Sequence, residues 1–267
     1  MSVARPAHTT ATPSLLGASV IVTRPAGTTA SFAKAIRFCH GNPVLLPGLA
    51  LRAAQSEDVA TVLRSAKAAD LAIFTSPAAV KYAWRLLPSL RFAQRVCIAA
   101  VGAGTARALR ARGVNEVVIP QGTQDSSGLL QESALRGVRG KFVAVIGAPG
   151  GRDLLVPTLK RRGAKVLRVD VYERTAPRWT RRHFAALEIA PKPWLLLISS
   201  AEAMAHLATA LPPGLVLALR RAECVVSSAR LAGLAIDHGF ARVHVARSAL
   251  AADLLAAAGA ALSQHRL

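Results

Sequence analysis

Six places along the chain put hydroxyl or glycine residues directly after a short apolar run and directly before a stretch with helical spacing. They are Thr23-Arg24-Pro25, Thr75-Ser76-Pro77, Gly102-Ala103-Gly104-Thr105, Gly147-Ala148-Pro149-Gly150-Gly151-Arg152, Ser199-Ser200 and Ser227-Ser228. A helix start leaves backbone N–H groups without intrahelical partners and carries the positive end of the helix dipole. A hydroxyl or a bare glycine backbone at that point therefore suits an anion. Ordinary N-capping favours the same residue types, and any one junction alone reads as a cap. The six fall into matched pairs, which raises anion binding to equal standing. Candidate contacts are Arg24, Thr75, Ser76, Thr105, Gly147, Gly150, Gly151, Arg152, Ser199, Ser200 and Ser228, the two arginines being able to hold a carboxylate bidentately.

Other chemistries find little support. Seven histidines are scattered with no His-Glu-x-x-His spacing, so no metal site is expected. The three cysteines, Cys39, Cys97 and Cys224, lie far apart and read as reduced thiols of a cytoplasmic protein. "VGAGTARAL" begins like a dinucleotide fingerprint, but Arg107 stands where the third glycine belongs and no acidic residue ends the following strand. There is no P-loop and no nucleophile elbow, so neither nucleotide binding nor serine-hydrolase chemistry is expected.

Lys and Arg outnumber Asp and Glu 34 to 14, a net charge of +20. The excess fits a polyanionic partner, and equally a basic proteome. Aromatic residues are only 4%, too few for stacking on bases, and the basic residues spread over both halves, so nucleic acid is not the expected partner. No apolar run approaches a membrane span, and the first residues lack the apolar stretch of a signal peptide. Residues 1–17, rich in Ser, Thr and Pro, read as a flexible tail.

The elements that position these junctions come from a duplication. "ASVIVTRPAGTTASFAKAIRFCHGNPVLLPGLAL" (18–51) matches "KFVAVIGAPGGRDLLVPTLKRRGAKVLRVDVYE" (141–173). "DLAIFTSPAAVKYAWRLL" (70–87) matches "PWLLLISSAEAMAHLATAL" (193–211), and "VCIAAVGAGTARALRARGV" (96–114) matches "AECVVSSARLAGLAIDHGF" (222–240). "SSGLLQESA" (126–134), which begins with Ser126, has a looser echo in "SALAADLLAAA" (248–258). The offsets agree: Val20 to Val143 is 123, Phe74 to Ile198 is 124 and Val101 to Val225 is 124. A constant offset marks an internal repeat. Each copy alternates unbroken Val/Ile/Leu runs with helices, the pattern of strands buried on both faces of a parallel sheet. Gly41, Gly113, Gly163 and Gly239 follow polar last turns as helix stops. Parallel-sheet topology puts all six junctions at carboxyl edges, where such sheets hold ligands.

In order and spacing, "VTRPAG", "DLAIFTSPAAV", "VGAGTARALRARGV", "SSGLL", "GKFVAVIGAPGGRDLL", "VYERTAP", "ISSAEAM" and "VVSSARLAGLAIDHGF" resemble the uroporphyrinogen-III synthase family over residues 18–258. The chain departs from the family pattern at Ala78, at Ser199-Ser200 and at Ser227-Ser228. The resemblance implies an α/β fold: two Rossmann/flavodoxin-like parallel-sheet lobes joined by a two-stranded connector, with the first βα unit of each copy built into the opposite lobe. Residues 18–42 with 178–267 would form one lobe and 54–165 the other, with 43–53 and 166–177 as connector strands. It also implies a cofactor-free monomeric lyase that cyclises hydroxymethylbilane, a substrate with eight carboxylates, with loss of water and inversion of the last pyrrole ring. Tyr172 stands where the family has a tyrosine and is the implied catalytic residue; Ser126 and the junction residues become substrate-binding candidates. The alternative is a two-lobed binding protein for an anionic metabolite, without turnover.

Overall fold

The computed structural model of the chain describes residues 13–56, 58–150 and 154–264. Its strands are β1 (Ser19–Val22), β2 (Asn42–Leu45), β3 (Ala50–Ala53), β4 (Leu71–Phe74), β5 (Cys97–Ala100), β6 (Phe142–Gly147), β7 (Lys165–Asp170), β8 (Tyr172–Thr175), β9 (Trp194–Ile198), β10 (Glu223–Val226) and β11 (Arg242–Val245). The chain divides into two compact α/β units, one of described residues up to Ala50 and from Thr175, the other Leu51–Arg174.

The first unit carries a sheet of order β11-β10-β9-β1-β2, the second a sheet of order β5-β4-β6-β7, and β3 pairs with β8 in a separate ribbon. Every described ladder in the two larger sheets is parallel. The orders β10-β9-β1-β2 and β5-β4-β6-β7 are the same order read by copy. In each sheet two strands come from one copy and their neighbours from the other.

The central strands have the burial that unbroken apolar runs demand. All of β1, β4 and β10 is buried, and successive residues feed opposite faces. In β4, Ala72 and Phe74 join a core with Val80, Trp84 and Ile146, while Leu71 and Ile73 join one with Leu129, Val143 and Leu159. In the first unit Ile21, Leu196 and Cys224 face one way and Val20, Leu195 and Val225 the other. Among the described residues no helix is long and apolar enough to cross a membrane.

The structure corrects the sequence reading at several points. Val44 and Val169 are buried within the unit sheets, so β2 and β7 belong to those sheets and only β3 and β8 form the connecting ribbon, shorter than 43–53 and 166–177. The third repeat offset is wrong by two residues. Leu71 registers with Cys97 and Leu195 with Glu223, which makes Val101 equivalent to Ser227 rather than Val225. A helix, Pro213–Arg220, lies in the connection leading to β10 and accounts for a longer link there. The tail does not run to residue 17: Leu15 is fully buried, and its N–H donates to the Cys39 carbonyl at 2.8 Å. Gly113, Gly163 and Gly239 have the positive φ of helix stops, but at the first helix His40 takes that role at φ 61°. Gly41 is needed there for space, since a Cβ would lie 3.0 Å from both Ile36 Cγ2 and Leu15 Cβ.

All three cysteines are free, Cys39 and Cys224 buried and Cys97 partly so. Burial pushes the Cys224 thiol up to about 12, and it raises the thiols of Cys39 and Cys97 as well. The thiolate is the reacting form. A thiol reagent at pH 8 should therefore modify Cys97 first in the native protein and spare Cys224 until denaturant is added. Mass spectrometry of the native and unfolded digests checks this; native labelling of Cys224 at the rate of Cys97 would contradict it.

Candidate active site

In the unit Leu51–Arg174 the chain leaves β4 toward β5 on one side of the sheet and β6 toward β7 on the other. Strand order reverses between β4 and β6, and at such a point the loops at the carboxyl ends diverge and open a crevice. A cavity of about 190 Å³ lies there, lined by Thr75, Ser76, Ser126, Gly147, Gly150 and Tyr172 together with Arg168, Asp170 and Arg174. That volume suits a side arm of a ligand rather than a whole drug-sized molecule. Gly147 is required by the close approach of the strands, for a Cβ there would lie 2.4 Å from Thr75 Oγ1. The Thr75 hydroxyl donates to the Ile146 carbonyl at 3.3 Å, and Gly150 turns the chain at φ 76°.

Ser76 is the N-cap of the helix Pro77–Leu86, its Oγ accepting from the Ala79 N–H at 3.0 Å. The same oxygen is 3.1 Å from Tyr172 Oη. The Tyr172 ring, only 6% exposed, stacks on Tyr82 with centroids 5.4 Å apart and planes 20° apart. Tyr82 is held in turn by donating from its hydroxyl to the Leu51 carbonyl at 2.7 Å. A phenol is thus fixed in ring plane and in oxygen position at the wall of a polar cavity, with a hydroxyl beside it.

Two guanidinium groups support the turn after β6. Arg168 Nη2 donates to the Ala148 carbonyl at 3.0 Å, and its Nε contacts both Asp170 oxygens at 3.0 and 3.1 Å. Arg174 Nη2 donates to the Pro149 carbonyl at 2.8 Å. Ser126 begins the helix Ser126–Leu129, which Asp125 caps by accepting from the Gly128 N–H at 2.9 Å. Thr105 lies in the helix Ala103–Arg110, 4% exposed, and is not among the residues lining this cavity. Gly151 and Arg152 lie outside the described residues.

The other predicted contacts belong to the first unit, at the carboxyl ends of β1, β9 and β10. Ser200 and Ser228 cap the helices Ala201–Ala210 and Ala229–Asp237, each accepting from a backbone N–H at 3.4 Å. Ser199, half-buried, precedes that cap. Arg24 donates from Nη2 to the Ala249 carbonyl and lies 4.9 Å from the centre of the Phe32 ring. Its Nε is buried without a hydrogen-bond partner among the described residues, and burial lowers the guanidinium pKa.

The family model described as uroporphyrinogen-III synthase HemD matches residues 30–256, most of the chain. The chain belongs to the uroporphyrinogen-III synthase family. The uroporphyrinogen-III synthase of Escherichia coli K12 is 30% identical over 151 residues, 56% of this chain and 61% of that protein. That of Salmonella typhimurium LT2 is 32% identical over 157 residues, 56% of this chain and 61% of its own length. The matched part thus spans about three fifths of these curated relatives. Among solved structures, a mutant uroporphyrinogen III synthase of Thermus thermophilus has a TM-score of 0.56 at 20% identity, with 92% of this chain and 99% of that chain covered. The uroporphyrinogen-III synthetase of Helicobacter pylori 26695 has a TM-score of 0.57 at 14% identity, covering 94% and 100%. At these identities the likeness is one of fold.

The sequence reading singled out Ser76, Gly147 and Tyr172 as contacts but not Arg168, Asp170 or Arg174, which also line the cavity. A signal for these three was present. Polar residues at 168, 170, 172 and 174 alternate with the buried Val169 and Val171, so period 2 in "RVDVYER" puts all four on one face of an extended run.

Proposed function

We propose that the protein is a uroporphyrinogen-III synthase: a cofactor-free lyase of the cytoplasm, acting as a monomer, that cyclises hydroxymethylbilane to uroporphyrinogen III with loss of water and inversion of the last pyrrole ring. The observation that carries this reading is Tyr172 Oη, held 3.1 Å from Ser76 Oγ at the wall of a polar cavity at the strand-order reversal. Membership of the family supports it.

In this reading the phenol donates its proton to the departing hydroxyl of the substrate. The C–O bond breaks, water leaves, and the resulting cation is attacked at the substituted carbon of the last ring, giving a spiro intermediate that fragments and recloses inverted. The protein's part is to bring the two ends of a flexible chain together and hold them, which removes a large entropic barrier. The eight carboxylates are shared among many donors: Thr75, Ser126 and the backbone at Gly147 and Gly150 around the cavity, with Arg24, Thr105, Gly151, Arg152, Ser199, Ser200 and Ser228 as further contacts, while the Ser76 hydroxyl faces Tyr172. Incubation with hydroxymethylbilane, with product resolved into type III and type I isomers, tests the reading. Excess type III over the spontaneous reaction is expected, and type I alone would refute it.

Distributed binding has its own consequence. Ser200→Ala should weaken substrate binding by no more than about 1–1.5 kcal/mol, the net size of one hydrogen bond. In steady-state terms KM rises severalfold while kcat holds. Complete loss of turnover in a folded Ser200→Ala protein would show instead that this hydroxyl takes part in the chemistry.

A further inference from the structure

Resting on the proposed synthase activity, we infer that Ser76 is a positioning residue for Tyr172, which reverses its hydrogen bond to the phenol as the phenol gives up its proton. A serine hydroxyl has one proton to donate and two lone pairs to accept with. The Ala79 N–H, at 3.0 Å, occupies one lone pair and pins the oxygen at the helix start. What remains, one proton and one lone pair, meets Tyr172 Oη at 3.1 Å. At rest the phenol, the stronger acid of the two, donates to Ser76. When substrate binds and its hydroxyl takes that proton, negative charge grows on the phenol oxygen, and the Ser76 O–H rotates about its fixed oxygen to donate there. The bond then joins a neutral donor to a charged acceptor, roughly twice as strong as the neutral pair it replaces.

The atoms balance. The phenolic proton passes to the substrate hydroxyl oxygen, which leaves as water with the electron pair of the broken C–O bond, and the bilane keeps the positive charge. The proton released when the ring closed last regains aromaticity restores the phenol. Tyr82 completes the arrangement from the other side. Its ring stacks on Tyr172, and its own hydroxyl is anchored to the Leu51 carbonyl, so the phenol cannot swing off Ser76 as its charge changes.

Because the stronger bond exists only in the transition state, its loss appears in kcat. Ser76→Ala should lower kcat roughly tenfold, as removal of a hydrogen bond to a charged group does, with KM within about twofold of the parent. Ser76→Thr, which keeps both the hydroxyl and the cap, should restore most of the rate. The deciding measurement is the double-mutant cycle: in a Tyr172→Phe background there is no phenol to assist, and Ser76→Ala should lower kcat no further. An equal loss in both backgrounds, or a loss confined to KM, would overturn the inference by making Ser76 a carboxylate contact or a cap alone. Failure of the parent protein to form type III product would instead overturn the synthase reading, and this inference with it.

Discussion

Tyr172→Phe is expected to lower the turnover number about 10²-fold while leaving the Michaelis constant nearly unchanged. General-acid assistance typically contributes about 10²–10⁴ in rate. The low end applies because the linear substrate also closes without an enzyme. The hydroxyl matters more as the C–O bond breaks than when substrate first binds, so the loss belongs in kcat. The product should shift toward the type I isomer, since substrate left unconverted closes without inversion. Stability should change little. The Tyr172 ring makes its stack with Tyr82 through carbon, and a phenyl ring keeps that contact. Turnover, Michaelis constant, isomer ratio and melting midpoint, measured beside the parent, separate the outcomes. Parental turnover with pure type III product would remove Tyr172 from the chemistry and leave it a packing residue.

Gly147→Ala should damage folding and activity together. The added Cβ would stand 2.4 Å from Thr75 Oγ1 and 3.4 Å from its Cγ2, and a β-branched side chain has no long flexible end to swing aside. Thr75 is also tied to the Ile146 carbonyl by its own N–H at 3.1 Å. Overpacking of this kind costs about 1–3 kcal/mol. With about 2–4 °C per kcal/mol for a chain of this size, the melting midpoint should fall by roughly 2–12 °C. Activity should fall further than stability requires, because the displaced Thr75 carries Ser76 with it. Thr75→Ala in the same protein removes the obstructing hydroxyl and should recover most of the lost midpoint. Gly137→Ala is the control: nothing lies within 4 Å of a Cβ there, and its φ is −93°. A Gly147→Ala protein melting with the parent would show that β4 and β6 separate at that point at little cost.

Much of this architecture was legible because its determinants are local or repeated. Unbroken apolar runs at Leu71–Phe74 and Phe142–Gly147 announce strands covered on both faces, and the buried residues of β4 and β6 feed two separate cores as that pattern requires. Ser76 before Pro77 announces a capped helix start, and the cap is made. The offsets of 123 and 124 residues announce the duplication. Where the reading slipped, the cause was length in a connection. The extra helix Pro213–Arg220 lengthens the link to β10 by two residues, so the third match stands at 126, as its ranges 96–114 and 222–240 already had it, and only the pairing of Val101 with Val225 was out of register. The tail was misjudged for a related reason. Leu15 sits among Ser, Thr and Pro in sequence, but its side chain is fully buried and its N–H meets the Cys39 carbonyl, a contact made by a segment distant along the chain.

The candidate site divides the same way. Residue types by themselves determined the α/β class, the repeat, and the placing of Ser76, Gly147 and Gly150 at strand ends, because turn chemistry and hydrophobic period act over a few neighbours. The swap of βα units came only from the family resemblance, since a strand's sequence does not say which copy it will pair with. Tertiary structure alone decided that Thr75 and Gly147 touch, that Ser76 and Tyr172, 96 residues apart, share a hydrogen bond, and that Tyr82 stacks on Tyr172. Those contacts depend on β4 lying beside β6, in a register set by the burial of both strands between layers of helices.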